Sequence, residues 1–365
     1  MGLSDKMTIL KNGVRITKSG FLVNVILFFI FFTSYFVFSF HIPQHVIPSV
    51  DKRLIVQASF NFIIAITVLL TSFFIHRLNK LRLIYASSAA TSIVTVLLLF
   101  ASNEFFRLTI IFVIGIFFGA GILAFLANFW DSTVAEERGR IAGLIGFVSL
   151  PFYFLVDIVA VALDFPEIVM IGIILSLGTL VIMLLRPKKA VVLMAKEYEI
   201  RNHSEKRTIL LYAIPWIVFS LINATLAKNI SLSISLQVSS SFYMLLALLQ
   251  IIGVVFGAMC GGIIADFFGR RLSLALGLTL YGISSALAGL FTNAEILSFV
   301  YLTNGLSWGI LLILYTFVIW SDLSNKENYV KMYSIGLVIY YLAFGFGVLP
   351  TQLSQISLIA SALAC

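Results

Sequence analysis

Charge is scarce in this sequence. Only 11% of its 365 residues are Asp, Glu, Lys or Arg, whereas a soluble domain carries about a quarter. The chain is 61% hydrophobic with a mean hydropathy of +1.08, more apolar surface than a water-soluble globule can hide. A soluble enzyme and a disordered chain are thereby excluded. Cysteine is scarce too. Cys260 and Cys365 lie in or beside apolar runs, which excludes a disulfide scaffold. No Gly-Lys-Ser/Thr phosphate loop is present, so nucleotide-driven pumping has no machinery and no cofactor is expected. The four histidines (41, 45, 76 and 203) fall outside the apolar runs or at their edges, which disfavours a membrane-embedded enzyme. His41 and His45 have the i, i+4 spacing of a metal pair. Pro43 between them makes a regular helix doubtful and no third ligand is evident, so no metal is expected.

Long apolar runs are what the sequence has in quantity. A spanning helix needs about 20 such residues. The spans read as 21–40, 54–75, 83–101, 108–129, 141–163, 168–185, 209–228, 240–265, 272–291, 296–319 and 332–350, with a twelfth starting near Ile356. The first follows Lys6, Lys11, Arg15 and Lys18, exceeds a signal-peptide core and lacks a cleavage site, so it reads as retained. Longer connections are expected at 41–53, 186–208 and 228–239. Alternating loops put 20 of the 24 Lys and Arg on one side, with only Lys52, Arg53, Arg107 and Lys228 on the other. By the positive-inside rule the basic side, with the N-terminus, is cytoplasmic. The net charge of +8 is thus a topology signal, and no nucleic-acid partner is expected.

The halves repeat at an offset of 190 residues: Gly115 falls on Gly305, Gly119 on Gly309, Trp130 on Trp320, Glu137 on Glu327 and Gly146 on Gly336. Each copy holds six spans, an even number, so the copies share one orientation: a parallel 6+6 repeat. The expected division is 1–185, a linker at 186–208, and 209–365. The sixth span maps onto 358–375, so the twelfth helix is expected to be incomplete at residue 365.

Between spans eight and nine the chain reads Gly262-Ile-Ile-Ala-Asp266-Phe-Phe-Gly269-Arg270-Arg271. This resembles the G-x-x-x-D-x-x-G-R-R/K signature of the major facilitator superfamily. The connection after span four, Glu136-Glu137-Arg138-Gly139-Arg140, resembles that family's E-x-R-G-R element. The resemblance implies an all-α polytopic membrane bundle of two six-helix halves. It also implies a cytoplasmic gate built from Gly262, Asp266, Gly269, Arg270, Arg271, Glu136, Glu137, Arg138 and Arg140. Asp266 would accept hydrogen bonds from a neighbouring helix N-terminus, and the arginines would pair with carboxylates across the halves. The first-half copy departs from the signature, with His76 in place of the aspartate and Asn79 in place of the glycine. His76 is either a pH-sensitive latch or an ordinary polar turn. Pro151 in span five lacks the glycine pattern of the family's drug-antiporter branch.

Asp157 is the one charged residue well inside a span. It is either a proton carrier or substrate contact, or a group in the outer third that simply meets water. Lys228 is either a snorkelling interfacial lysine or a partner for Asp157 or substrate. The family architecture puts substrate at mid-depth between the halves. The polar and aromatic candidates there are Tyr35, Asn61, Tyr153, Asn223, Gln250, Asn304, Trp308, Tyr340 and Tyr341, suited to a mostly uncharged organic molecule. Each of them can equally serve helix–helix packing. The resemblance implies a secondary transporter of a small organic solute in the plasma membrane, monomeric, proton-coupled and working by alternating access. A non-transporting receptor of the same fold and an efflux antiporter are the alternatives.

Overall fold

A computed structural model describes residue 16 and residues 18–184, 206–237, 240–291 and 293–349, and no strand occurs among them. Lipid supplies no hydrogen-bond partners, so each apolar run satisfies its amides internally as a helix. The helices of the first half are α1 (Lys18–Val46), α2 (Val50–Phe74), α3 (Lys80–Phe100), α4 (Glu104–Ser132), α5 (Arg138–Val161) and α6 (Phe165–Leu184). Those of the second are α7 (Lys206–Gln237), α8 (Ser240–Phe267), α9 (Arg270–Leu290), α10 (Ala294–Asp322) and α11 (Tyr329–Val348). Ten of them are long and apolar enough to cross a membrane, which makes this a multi-pass membrane protein. Large apolar residues such as Phe73, Ile93, Phe105 and Val161 remain on the outside, where lipid rather than water meets them.

Helix ends fall close to the expected spans, with two differences. The first concerns the connection expected at 41–53. Here α1 continues to Val46 through a π-helical stretch at Val37–His41, in which the Ile42 amide donates to the Val37 carbonyl. The extra residue in that turn lets the helix pass Pro43, whose ring and missing N–H would break a regular one. The second concerns 228–239, where α7 runs on as helix to Gln237 despite its polar sequence. The side chain of Lys228, most of the 186–208 linker and the twelfth span lie outside the described residues.

The packing obeys the repeat. In the first half α2 packs on α4, α3 on α4, and α1 on α5; in the second, α8 packs on α10, α9 on α10, and α7 on α11. The repeated glycines serve these contacts. A side chain at Gly119 of α4 would press on the Ile64 carbonyl of α2, and one at Gly309 of α10 would overlap the Val254 carbonyl of α8. The two most extensive contacts between the halves among the described residues, α5 against α8 and α2 against α11, are images of each other under the repeat. This two-fold relation frames a space between α1 and α4 on one side and α7, α10 and α11 on the other.

Candidate functional site

That space is a cavity whose wall is dominated by aromatic rings, twelve of the eighteen lining residues, and holds no charged side chain. The first half contributes Phe28, Phe31, Phe32, Tyr35 and Phe36 from α1 and Phe125 from α4. The second contributes Trp216 from α7, Tyr315 and Trp320 from α10, and Tyr333, Tyr340 and Tyr341 from α11. A second π-helical stretch, Leu314–Val318, carries Tyr315 and Thr316 to the wall. No proline explains this one, and π turns often mark functional positions. Rings close the cavity away from the basic end, where Tyr35 meets Tyr341 (5.7 Å between centroids) and Phe40 meets Phe344 (6.5 Å). About 70 Å³ of its free space admits the centres of water molecules, enough for a few waters in this closed state.

Four of the polar side chains in the wall are already engaged. Tyr35 Oη donates to Asn61 Oδ1 (2.9 Å), Trp216 Nε1 to the Gly336 carbonyl (3.0 Å) and Tyr333 Oη to the Phe317 carbonyl (2.9 Å). Tyr315 Oη donates to the Tyr212 carbonyl at 3.2 Å. Trp320 Nε1 is buried and unpaired, packed against Gly336, where any side chain would collide with it.

The basic end is held by a charge cluster. Gly139 and Gly262 let α5 and α8 touch backbone to backbone, since a Cβ at Gly262 would overlap the Gly139 carbonyl. Asp266, its side chain 1% exposed, then reaches the start of α5. It accepts from the Gly139 amide (3.0 Å) and the Arg140 amide (2.7 Å), and from Arg140 Nε at 3.4 Å. These are orphan donors at the positive end of a helix dipole, a fitting seat for a carboxylate. Arg270 donates to Asp266, to Asp322 Oδ2 (2.6 Å) and to the Ala135 carbonyl (2.8 Å). Gly269 sits at φ +102° in the turn into α9, a conformation that favours glycine.

Two points differ from the sequence reading. Both carboxylates of Arg270 belong to its own half; the ion pairs between halves are Arg140–Asp266 and Arg138–Asp322 (3.6 Å). Arg271 and Glu136 are exposed and outside the cluster, and Glu137 is buried at the start of α5. Asp322 itself escaped the sequence reading. The repeat held a signal for the other side, since Lys80 lies 190 residues before Arg270. Lys80 joins Asp131 and the Tyr329 hydroxyl, and Tyr329 stacks on Trp130 at 4.2 Å. His76 stands edge-on to Tyr329 (6.4 Å), so this copy of the latch adds aromatic contacts to its ion pair.

Asp157 meets a partner the sequence did not suggest. His41 Nε2, brought round by the π stretch, lies 2.8 Å from Asp157 Oδ1. His41 is buried, Asp157 is one-third exposed, and His45 points outward. Among the described residues no group of three metal-ligating side chains forms.

Of the mid-depth candidates, Tyr35, Tyr340 and Tyr341 line the cavity. Tyr153 and Trp308 back it through Phe32 (4.8 and 6.1 Å), and Asn61 holds Tyr35. Gln250 and Asn304 bond each other (3.2 Å) inside the second half, with Ser284 beyond, as helix–helix glue. Asn223 is half-buried on α7, away from the lining.

No family model and no curated sequence matches the chain. Among solved structures, the crystal structure of the human organic anion transporter MFSD10 (TETRAN) superposes with a TM-score of 0.70 at 13% identity. The match covers 96% of this chain and 95% of that one. The fold is therefore that of the major facilitator superfamily, as the two motifs and the repeat imply.

Proposed function

We propose that the protein is a secondary transporter that moves a small, mostly uncharged organic solute across a membrane by alternating access. The observation that carries this reading is the aromatic cavity lying on the two-fold axis between halves, closed at one end by an ionic latch and at the other by rings. A cavity made wholly by one chain needs no second copy, so the monomer is the working unit. The Lys and Arg asymmetry orients the latched end toward the cytoplasm, in the plasma membrane. The fold neighbour is described as a transporter of organic anions. Its activity favours transport here; its anion does not carry over, because the lining offers no cation.

The pair His41–Asp157 is the proposed proton site. The imidazole and the carboxylate stand 2.8 Å apart, a contact along which a proton can pass between α1 and α5. The pair joins α1 to α5, so protonation acts on the packing of the helix that bears the latch's amides. Tyr153, one turn before Asp157 on α5, is the ionisable group whose charge acts on it. In vesicles with an imposed pH gradient, Asp157→Asn should abolish accumulation of a solute taken from a melting-temperature screen and leave downhill exchange intact. Undiminished accumulation by the variant would remove Asp157 from coupling.

A further inference from the structure

The cavity wall also selects the solute's chemistry. We infer that the site takes a neutral, planar aromatic molecule carrying a hydrogen-bond acceptor, and rejects both anions and cations. The inference rests on the reading that this cavity is the solute site.

Flatness comes from the walls. Trp216 lies nearly parallel to Tyr315 (4.1 Å, 16°) and to Tyr340 (5.4 Å, 21°), and across the cavity Phe31 lies parallel to Phe125 (15°). Offset stacking between such faces favours a flat ring system. Neutrality comes from the absence of any charged lining residue among the described residues: an ion leaving water here finds no counter-charge in that wall to offset its desolvation. Ring faces alone attract cations. Opposing that, the wall offers no carboxylate to offset a cation's lost hydration. Among the described residues the Tyr340 ring packs on Tyr341 and Phe344, and neither the Tyr340 nor the Tyr341 hydroxyl has a hydrogen-bond partner, so both can donate to a solute. A carbonyl or ring nitrogen accepts from these hydroxyls, and a quaternary ammonium offers them no acceptor. A polyol is excluded by the same count, since most of its hydroxyls would be buried unpaired.

One ring system in three charge states tests this. Binding of naphthalene-2-carboxamide, naphthalene-2-carboxylate and trimethyl(2-naphthyl)ammonium to the purified full chain would be measured by calorimetry. The amide should bind about tenfold or more tighter than either ion. Tyr340→Phe and Tyr341→Phe keep the rings and remove the donors, and each should weaken the amide about fivefold. Equal or tighter binding of either ion overturns the inference, as does no amide binding at millimolar concentration. Gradient-driven accumulation of a charged solute would overturn it while leaving transport standing. Amide binding without accumulation of any solute would overturn transport and leave the assigned chemistry standing.

Discussion

Asp266→Ala should lower the unfolding temperature and open the basic end in one step. The substitution strands two buried amides, those of Gly139 and Arg140, and removes one of the carboxylates that hold Arg270. Breaking a buried charge pair from one side costs roughly 3–5 kcal/mol. Asp266→Asn keeps the shape and one acceptor, so its effect should be smaller. The conformational half of the prediction needs its own reading. Thr316 lines the cavity, and Cys260 and Cys365 are the only native thiols. With both replaced by serine, Thr316→Cys should react slowly with a bulky water-soluble maleimide and much faster once Asp266→Ala is added. A lower melting temperature with unchanged labelling would make Asp266 a structural brace and not a latch.

The spans were legible because lipid imposes a rule that composition cannot evade: an apolar run of sufficient length must be helical. The repeat was legible for a related reason. Gly309 and Gly119 are held by backbone contacts that admit no side chain at the first and little at the second, and such positions keep their spacing. The motif placed Asp266 against the start of α5 for the same reason, through Gly139 and Gly262. What stayed hidden depends on where a helix turns. The π stretch at Val37–His41 rotates His41 onto a carboxylate 116 residues away, and Pro43 read instead as the end of the helix. The stretch at Leu314–Val318 has no sequence marker at all, yet it places Tyr315 and Thr316 on the cavity wall. The phenylalanines of α1 carry no sequence marker of the face they turn; the packing of the halves places Phe28, Phe31, Phe32 and Phe36 on the cavity wall. Asp322 was hidden by its position at a loop edge, where acidic residues ordinarily meet water.

Gly262→Val should separate the two halves at the basic end without touching any charge. The Cβ it adds would overlap the Gly139 carbonyl oxygen and stand 2.9 Å from the Gly143 Cα, and neither atom can turn aside as a side chain would. Carbon and carbonyl oxygen need roughly 3.3–3.6 Å, so α5 must retreat from α8 by about 1 Å or more. That distance exceeds the tolerance of the Asp266 contacts, already 2.7 and 3.0 Å to two amides. The latch should then fail although every latch residue is intact, and Thr316→Cys should label as fast as it does with Asp266→Ala. Combining the two substitutions should add little further opening, since both act on the same set of hydrogen bonds. Strict additivity would mean that the glycine contact and the carboxylate hold the halves independently. Gly269→Ala makes the contrasting case. It strains a turn at φ +102° but leaves the helix contact untouched, and nothing lies within 4 Å of its Cβ position. It should lower stability modestly and leave labelling slow.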